Sequence, residues 1–120
     1  MNAHTRRAIA LIASSIIAGK PPSSIYDYAF CKYFSYNGDA SLDKVNVYDS
    51  GEKCSISGSG KNGELSLYHY GNSKHICLKI EGSTFRGYDY DTSAYYRGHV
   101  NGSSINVYDY QDSHYYNYSF

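Results

Sequence analysis

The stretch Ile105-Asn106-Val107-Tyr108-Asp109-Tyr110-Gln111-Asp112-Ser113-His114-Tyr115-Tyr116-Asn117-Tyr118-Ser119-Phe120 reads as two strands joined by a turn. Ile105 and Val107 alternate with polar neighbours before the signature Tyr108-Asp109-Tyr110, and Tyr116, Tyr118 and Phe120 alternate after it. Alternation is the period of a half-buried strand, because successive side chains leave a strand on opposite faces. Between the runs, Gln111-Asp112-Ser113-His114 supplies turn-forming residues.

Working back along the chain, the signature recurs as Tyr26-Asp27-Tyr28, Tyr48-Asp49-Ser50, Tyr68-His69-Tyr70 and Tyr88-Asp89-Tyr90. The opening tyrosines Tyr26, Tyr48, Tyr68, Tyr88 and Tyr108 fall 22, 20, 20 and 20 residues apart. Such a period marks a supersecondary unit that hides its apolar side only when neighbours join it. Val45 and Val47, then Leu65 and Leu67, precede their tyrosines as Ile105 and Val107 do, while Phe85 and Gly87 follow the pattern in part. Ile76, Leu78 and Ile80 occupy the places of Tyr116, Tyr118 and Phe120.

The simplest hairpin sets Tyr90 opposite Tyr95, Val107 beside Tyr118 and Ile105 beside Phe120. In that register both strands of a unit turn their aliphatic positions to one side, as a sheet with one buried face requires. Asn62-Gly63, Glu81-Gly82 and Asn101-Gly102 suit tight links between units, where positive backbone angles are needed.

Upstream, Arg6 and Arg7 lead into an apolar run from Ala8 to Ala18, followed by Gly19, Lys20, Pro21 and Pro22. Ile9, Ile12, Ala13, Ile16 and Ile17 recur at helical spacing with Arg7 and Ser14 on another side, and Gly19 with the prolines supplies a stop. A secretory signal would share this charged-then-apolar start, but a cut after Ala18 puts Ile16 where a small residue is preferred. A retained helix is therefore expected in a cytoplasmic protein, with a secreted or periplasmic one the alternative if the segment is a signal peptide. The run is too short for a transmembrane anchor.

The chain is expected to be one domain over 1–120, with the helix in 1–20 and five hairpins in 23–120. Ten strands in an antiparallel up-and-down meander would make a flat sheet nearly ~50 Å wide, against a helix only ~10 Å across. The sheet must curl or close around the helix, and a packed dimer is the alternative. Gly58 and Gly98 fall at inward positions, where a helix could approach closely.

Eleven acidic and eleven basic residues cancel, which excludes the long-range field of a general nucleic-acid binder. Sixteen tyrosines, four phenylalanines and no tryptophan instead suit a sheet whose outer surface is aromatic and hydrogen-bonding. Cys31, Cys54 and Cys77 form no Cys-x-x-Cys pair and read as free thiols rather than zinc ligands, with one disulfide and a spare thiol the alternative in an exported protein. Asp27, Asp49, His69, Asp89 and Asp109 project inward near the turns, where they would accept turn N–H groups; a ring around a hard cation is the sharper alternative, interrupted by His69.

The tyrosine-rich rhythm resembles that of the cell-wall-binding repeats of Gram-positive surface proteins. Those repeats build their ligand sites from tryptophan, which this chain lacks, so the resemblance implies neither their fold nor choline binding here.

Tyr70, His75, Tyr88, Tyr90, Tyr95, Arg97, Tyr108, Tyr110 and Tyr115 are the candidate binding residues of the outer face, with Arg97 placed between Tyr88 and Tyr108 for stacking. No nucleophile elbow, phosphate loop or metalloprotease helix is legible, and His4, His69, His75, His99 and His114 stand at unrelated repeat positions. The expected function is a non-enzymatic binding module, without cofactor or metal, that contacts a protein partner or another copy of itself. Glycan binding by an exported protein and a small hydrolase using His69 or His75 are the alternatives.

Overall fold

In the computed structural model, which describes residues 1–120, the alternating runs form ten antiparallel strands. They are β1 (Ser24–Asp27), β2 (Lys32–Ala40), β3 (Lys44–Asp49), β4 (Cys54–Lys61), β5 (Glu64–His69), β6 (Lys74–Glu81), β7 (Thr84–Asp89), β8 (Ala94–Asn101), β9 (Ser104–Asp109) and β10 (His114–Ser119). Each pairs with the next, and β10 returns to β1, so the meander closes into a barrel without free edges. The seam is short: Tyr26 faces Ser119 and Asp27 faces Tyr118. Extents of 32 × 30 × 29 Å rule out the flat ~50 Å sheet.

Helix α1 (Ala3–Ala18) fills the barrel. Every residue from Thr5 to Ser15 is buried, including Arg7 and Ser14, which the helical spacing alone had placed away from the core. A helix enclosed by a closed sheet has no solvent side. Ile9, Leu11 and Ile12 share one apolar cluster with Val47, Leu67 and Val107, and burying each such aliphatic chain stabilises by roughly 1.5–3 kcal/mol. Gly19 ends the helix at φ 68°, with its N–H donating to the Ile16 carbonyl.

The expected face parity holds, but the pairing inside each hairpin lies two residues from the expected one. Tyr88 faces Tyr95, and Val107 and Ile105 face Tyr116 and Tyr118. The cause is the signature aspartate. Asp109 Oδ1 accepts the Gln111 N–H at 3.0 Å, the Asp109 carbonyl accepts from Ser113 at 2.9 Å, and the turn therefore starts at once. Ser113 closes it at φ 57°, as Cys31, Lys53, Ser73 and Ser93 do in the other units. A displacement of two leaves every side chain on its original face.

Between units, Asn62 and Gly63 both take positive φ, the type I′ pattern. Glu81 and Asn101 instead remain in their strands, and Gly82-Ser83 and Gly102-Ser103 make the turns. Gly58 and Gly98 do not serve the helix. A β-carbon on Gly58 would collide with the Ser66 carbonyl oxygen, and one on Gly98 with the Phe85 ring and the Asn106 carbonyl oxygen. Missing side chains let neighbouring strands fold closely over one another where the sheet coils.

At the pole holding the long turns, Asp27, Asp49, His69, Asp89 and Asp109 all point inward and are buried. Each accepts a turn N–H: Ala29 donates to Asp27 Oδ1, Gly51 to Asp49 Oδ1, Asn72 to His69 Nδ1 and Asp91 to Asp89 Oδ1. They do not form a cation ring, since no three His, Cys, Asp or Glu side chains converge as metal ligands. The counter-charges come from the helix end: Arg6 lies 3.2 Å and the Met1 amino group 2.8 Å from Asp109 Oδ2, and Arg7 lies 3.1 Å from Asp27 Oδ2. The positive end of the helix dipole adds to the same match.

Candidate binding surface

The outer face is organised by repeated ring clusters. Because Tyr88 and Tyr95 are directly paired across β7 and β8, their rings meet at 4.7 Å, and Tyr90, two residues on, meets Tyr88 from the other side at 4.8 Å. Tyr108 stands likewise between Tyr110 and Tyr115, Tyr68 between Tyr70 and His75, and Tyr26 between Tyr28 and Tyr33. Nearly all these contacts are edge-to-face, the arrangement ring quadrupoles favour. Ser50 and Ser55 take the flanking places beside Tyr48, so the second hairpin lacks the cluster. The outermost rings stay accessible: Tyr95 is 65% and Tyr70 58% exposed.

Arg97, on β8, attaches to the ring cluster of the following hairpin. It faces Tyr108 on one side, as expected, but Arg86 rather than Tyr88 on the other. Its Nε donates to Tyr110 Oη at 2.9 Å and one terminal nitrogen to Tyr115 Oη at 3.2 Å, while its guanidinium lies 5.0 Å from the Tyr108 ring centre. Those phenol oxygens hold the guanidinium in place, and no carboxylate pairs with it.

Two neighbouring rows of outward residues then shape a trough. In one, Ser59, Ser66 and Cys77 lie side by side across β4, β5 and β6 and run into Tyr88 and Tyr95. Three small side chains beside two tall rings leave a depression of about 1010 Å3. The adjacent row, Lys61, Glu64, Lys79, Arg86 and Arg97, forms its charged flank. Of the candidate residues, Tyr88, Tyr95, Arg97 and Tyr110 line this trough; Tyr108 and Tyr115 line a smaller hollow of about 300 Å3 with Arg97. Tyr70 lies elsewhere, lining with Tyr48 a third hollow of about 700 Å3, and His75 and Tyr90 line none of the three.

Lys61, Lys79 and Arg86 were missed from sequence, because recognising them depends on the cross-strand register that the displaced pairing obscured. Cys77 sits on the trough floor, its thiol 3.9 Å from Tyr90 Oη, and no disulfide joins the three cysteines. His69 and His75 do not come together, since His69 is enclosed under its turn while His75 is outside on Tyr68. Burial lowers the His69 pKa, and the nearby His4 lowers it further.

Fold and surface together define a closed ten-stranded hairpin-repeat barrel, filled by its own helix and faced with tyrosine clusters. No family model matches the chain, and no curated protein or solved structure matches it. No helix is long and apolar enough to cross a membrane.

Proposed function

We propose that this protein is a non-catalytic binding module that engages a protein partner through the tyrosine-lined outer face of its last three hairpins. The observation that carries this reading is the trough of about 1010 Å3 walled by Tyr88, Tyr95, Arg97 and Tyr110. Tyrosine offers large, rather rigid contact area with a hydrogen-bonding tip, and concave surfaces lined this way suit partner recognition. Sheet stability alone would need the ring contacts but not the hollow beside them. Retention of α1 belongs to the same reading, because the barrel would be empty without it.

The test replaces Tyr90, Tyr95, Tyr110 and Tyr115 by serine and compares binding and sedimentation with the parent chain. Loss of binding to peptides selected on the parent chain from a random display library, or of self-association, with the β-sheet circular dichroism retained, is the expected result. Undiminished binding by a folded variant rejects the reading.

A further inference from the structure

We infer that the trough takes a short acidic segment of the partner protein, resting on the binding-module reading above. Arg86 and Arg97 are directly opposite each other across β7 and β8, and Lys79 is directly opposite Arg86 across β6 and β7. Like charges directly opposite on a sheet destabilise it. Here three stand in a line on a chain whose net charge is zero.

The local carboxylates do not balance them. Glu81 lies 3.2 Å from Lys79 and 3.6 Å from Arg86, Glu64 lies 3.6 Å from Lys79, and neither Lys61 nor Arg97 has an ion-pair partner. The four cations of this flank thus face two carboxylates, Glu64 within the trough and Glu81 just outside it. Arg97 gives Nε and Nη2 to the phenol oxygens of Tyr110 and Tyr115, which fixes the guanidinium plane and leaves its Nη1 end to donate to a carboxylate.

The occupant's chemistry follows from these groups. Arginine and lysine can only donate, and they donate as fixed positive charges, whereas the tyrosine and serine hydroxyls both donate and accept. With the one carboxylate in the trough, Glu64, engaged by Lys79, what the trough leaves unmatched is cationic donors, which call for an anionic group rather than a neutral sugar. An extended polyanion would call for a basic molecule, and this one is neutral. A brief run of Asp or Glu satisfies the flank, and a bulky apolar side chain next to it packs on the Tyr88 and Tyr95 wall.

The experiment selects short random peptides, displayed on phage, against the full chain. Expected winners carry at least two Asp or Glu beside an aromatic or branched residue. Their Kd should weaken by about tenfold or more in Arg86→Gln/Arg97→Gln, with partial recovery when Arg97→Lys replaces Arg97→Gln. Failure to select any peptide, winners without acidic bias, or affinity unaltered in the double variant overturns the inference. Tighter binding of a sulfated oligosaccharide than of the winners overturns it as well. Where the arginine variant binds normally but the four-tyrosine variant does not, the acidic segment is wrong and the tyrosine-face reading survives; where neither loses binding, both fall.

Discussion

Arg7 Nε lies 3.1 Å from Asp27 Oδ2 inside the barrel, joining the helix to the first hairpin through a pair of charges almost without solvent. Asp27 also caps its own turn through Ala29, and the Arg7 guanidinium stacks 3.4 Å from the Phe34 ring centre. One contact thus couples helix position, turn geometry and aromatic packing. Arg7→Met leaves a buried carboxylate without its cation and should cost about 3–5 kcal/mol. Arg7→Met/Asp27→Asn should recover part of that loss, since asparagine still accepts the turn N–H. Urea unfolding of the two variants measures both.

His69 makes stability depend on pH. Burial lowers its pKa below the ordinary 6.5, with His4 opposing protonation and Asp49 and Asp89 partly favouring it. The unfolded chain therefore binds this proton more readily than the folded one. Stability from this group is fully present above about pH 6.5 and is lost as pH falls toward the lowered folded pKa. His69→Asn preserves an acceptor for the Asn72 N–H. It should flatten the stability difference between pH 7.5 and mildly acidic buffer, at about those values; an unchanged slope in urea titrations refutes the assignment.

Glycines at coiled positions should be less replaceable than those in turns. A β-carbon at Gly58 meets backbone oxygen that cannot rotate away, whereas at Gly102 it meets open space and only the positive φ of 61° opposes it. Gly58→Ala is expected to lose about 1–3 kcal/mol or fail to fold, against roughly 1 kcal/mol for Gly102→Ala. Thermal unfolding of the pair decides the order.

The incomplete second hairpin can be finished. Ser50 and Ser55 stand where the other units carry rings, and a hollow of about 700 Å3 lies beside Tyr48, Ser55 and Tyr70. Ser50→Tyr/Ser55→Tyr should stabilise the barrel by roughly 0.5–1 kcal/mol from cross-strand ring contacts. No gain in the urea midpoint would mean that the clusters contribute little to folding.

Much of the architecture was legible because a strand's side chains alternate with period two. Val45, Val47, Leu65, Leu67, Ile105 and Val107 could be assigned to one face from spacing alone, and the structure buries all six. The opening tyrosines, 22, 20, 20 and 20 residues apart, revealed the repeat and hence the meander. The hairpin register was not legible to the same degree. A two-residue displacement keeps every face unchanged, so the apolar pattern cannot detect it; the Asp109 side chain, by capping Gln111, chose between the alternatives.

The linear order of residues by itself determined the repeat, the inner and outer faces and the stopping point of the helix, since each depends on local chemistry and short periods. Tertiary structure alone decided that β10 meets β1, that Arg6 and Arg7 lie inside against Asp109 and Asp27, and that Arg86 stands opposite Arg97. Closure sets Tyr26 against Ser119, from opposite ends of the sheet, and the charge of a buried arginine is tolerable only beside a partner that the fold delivers. The trough has the same origin: small residues on three strands become a hollow only once tall rings are aligned next to them.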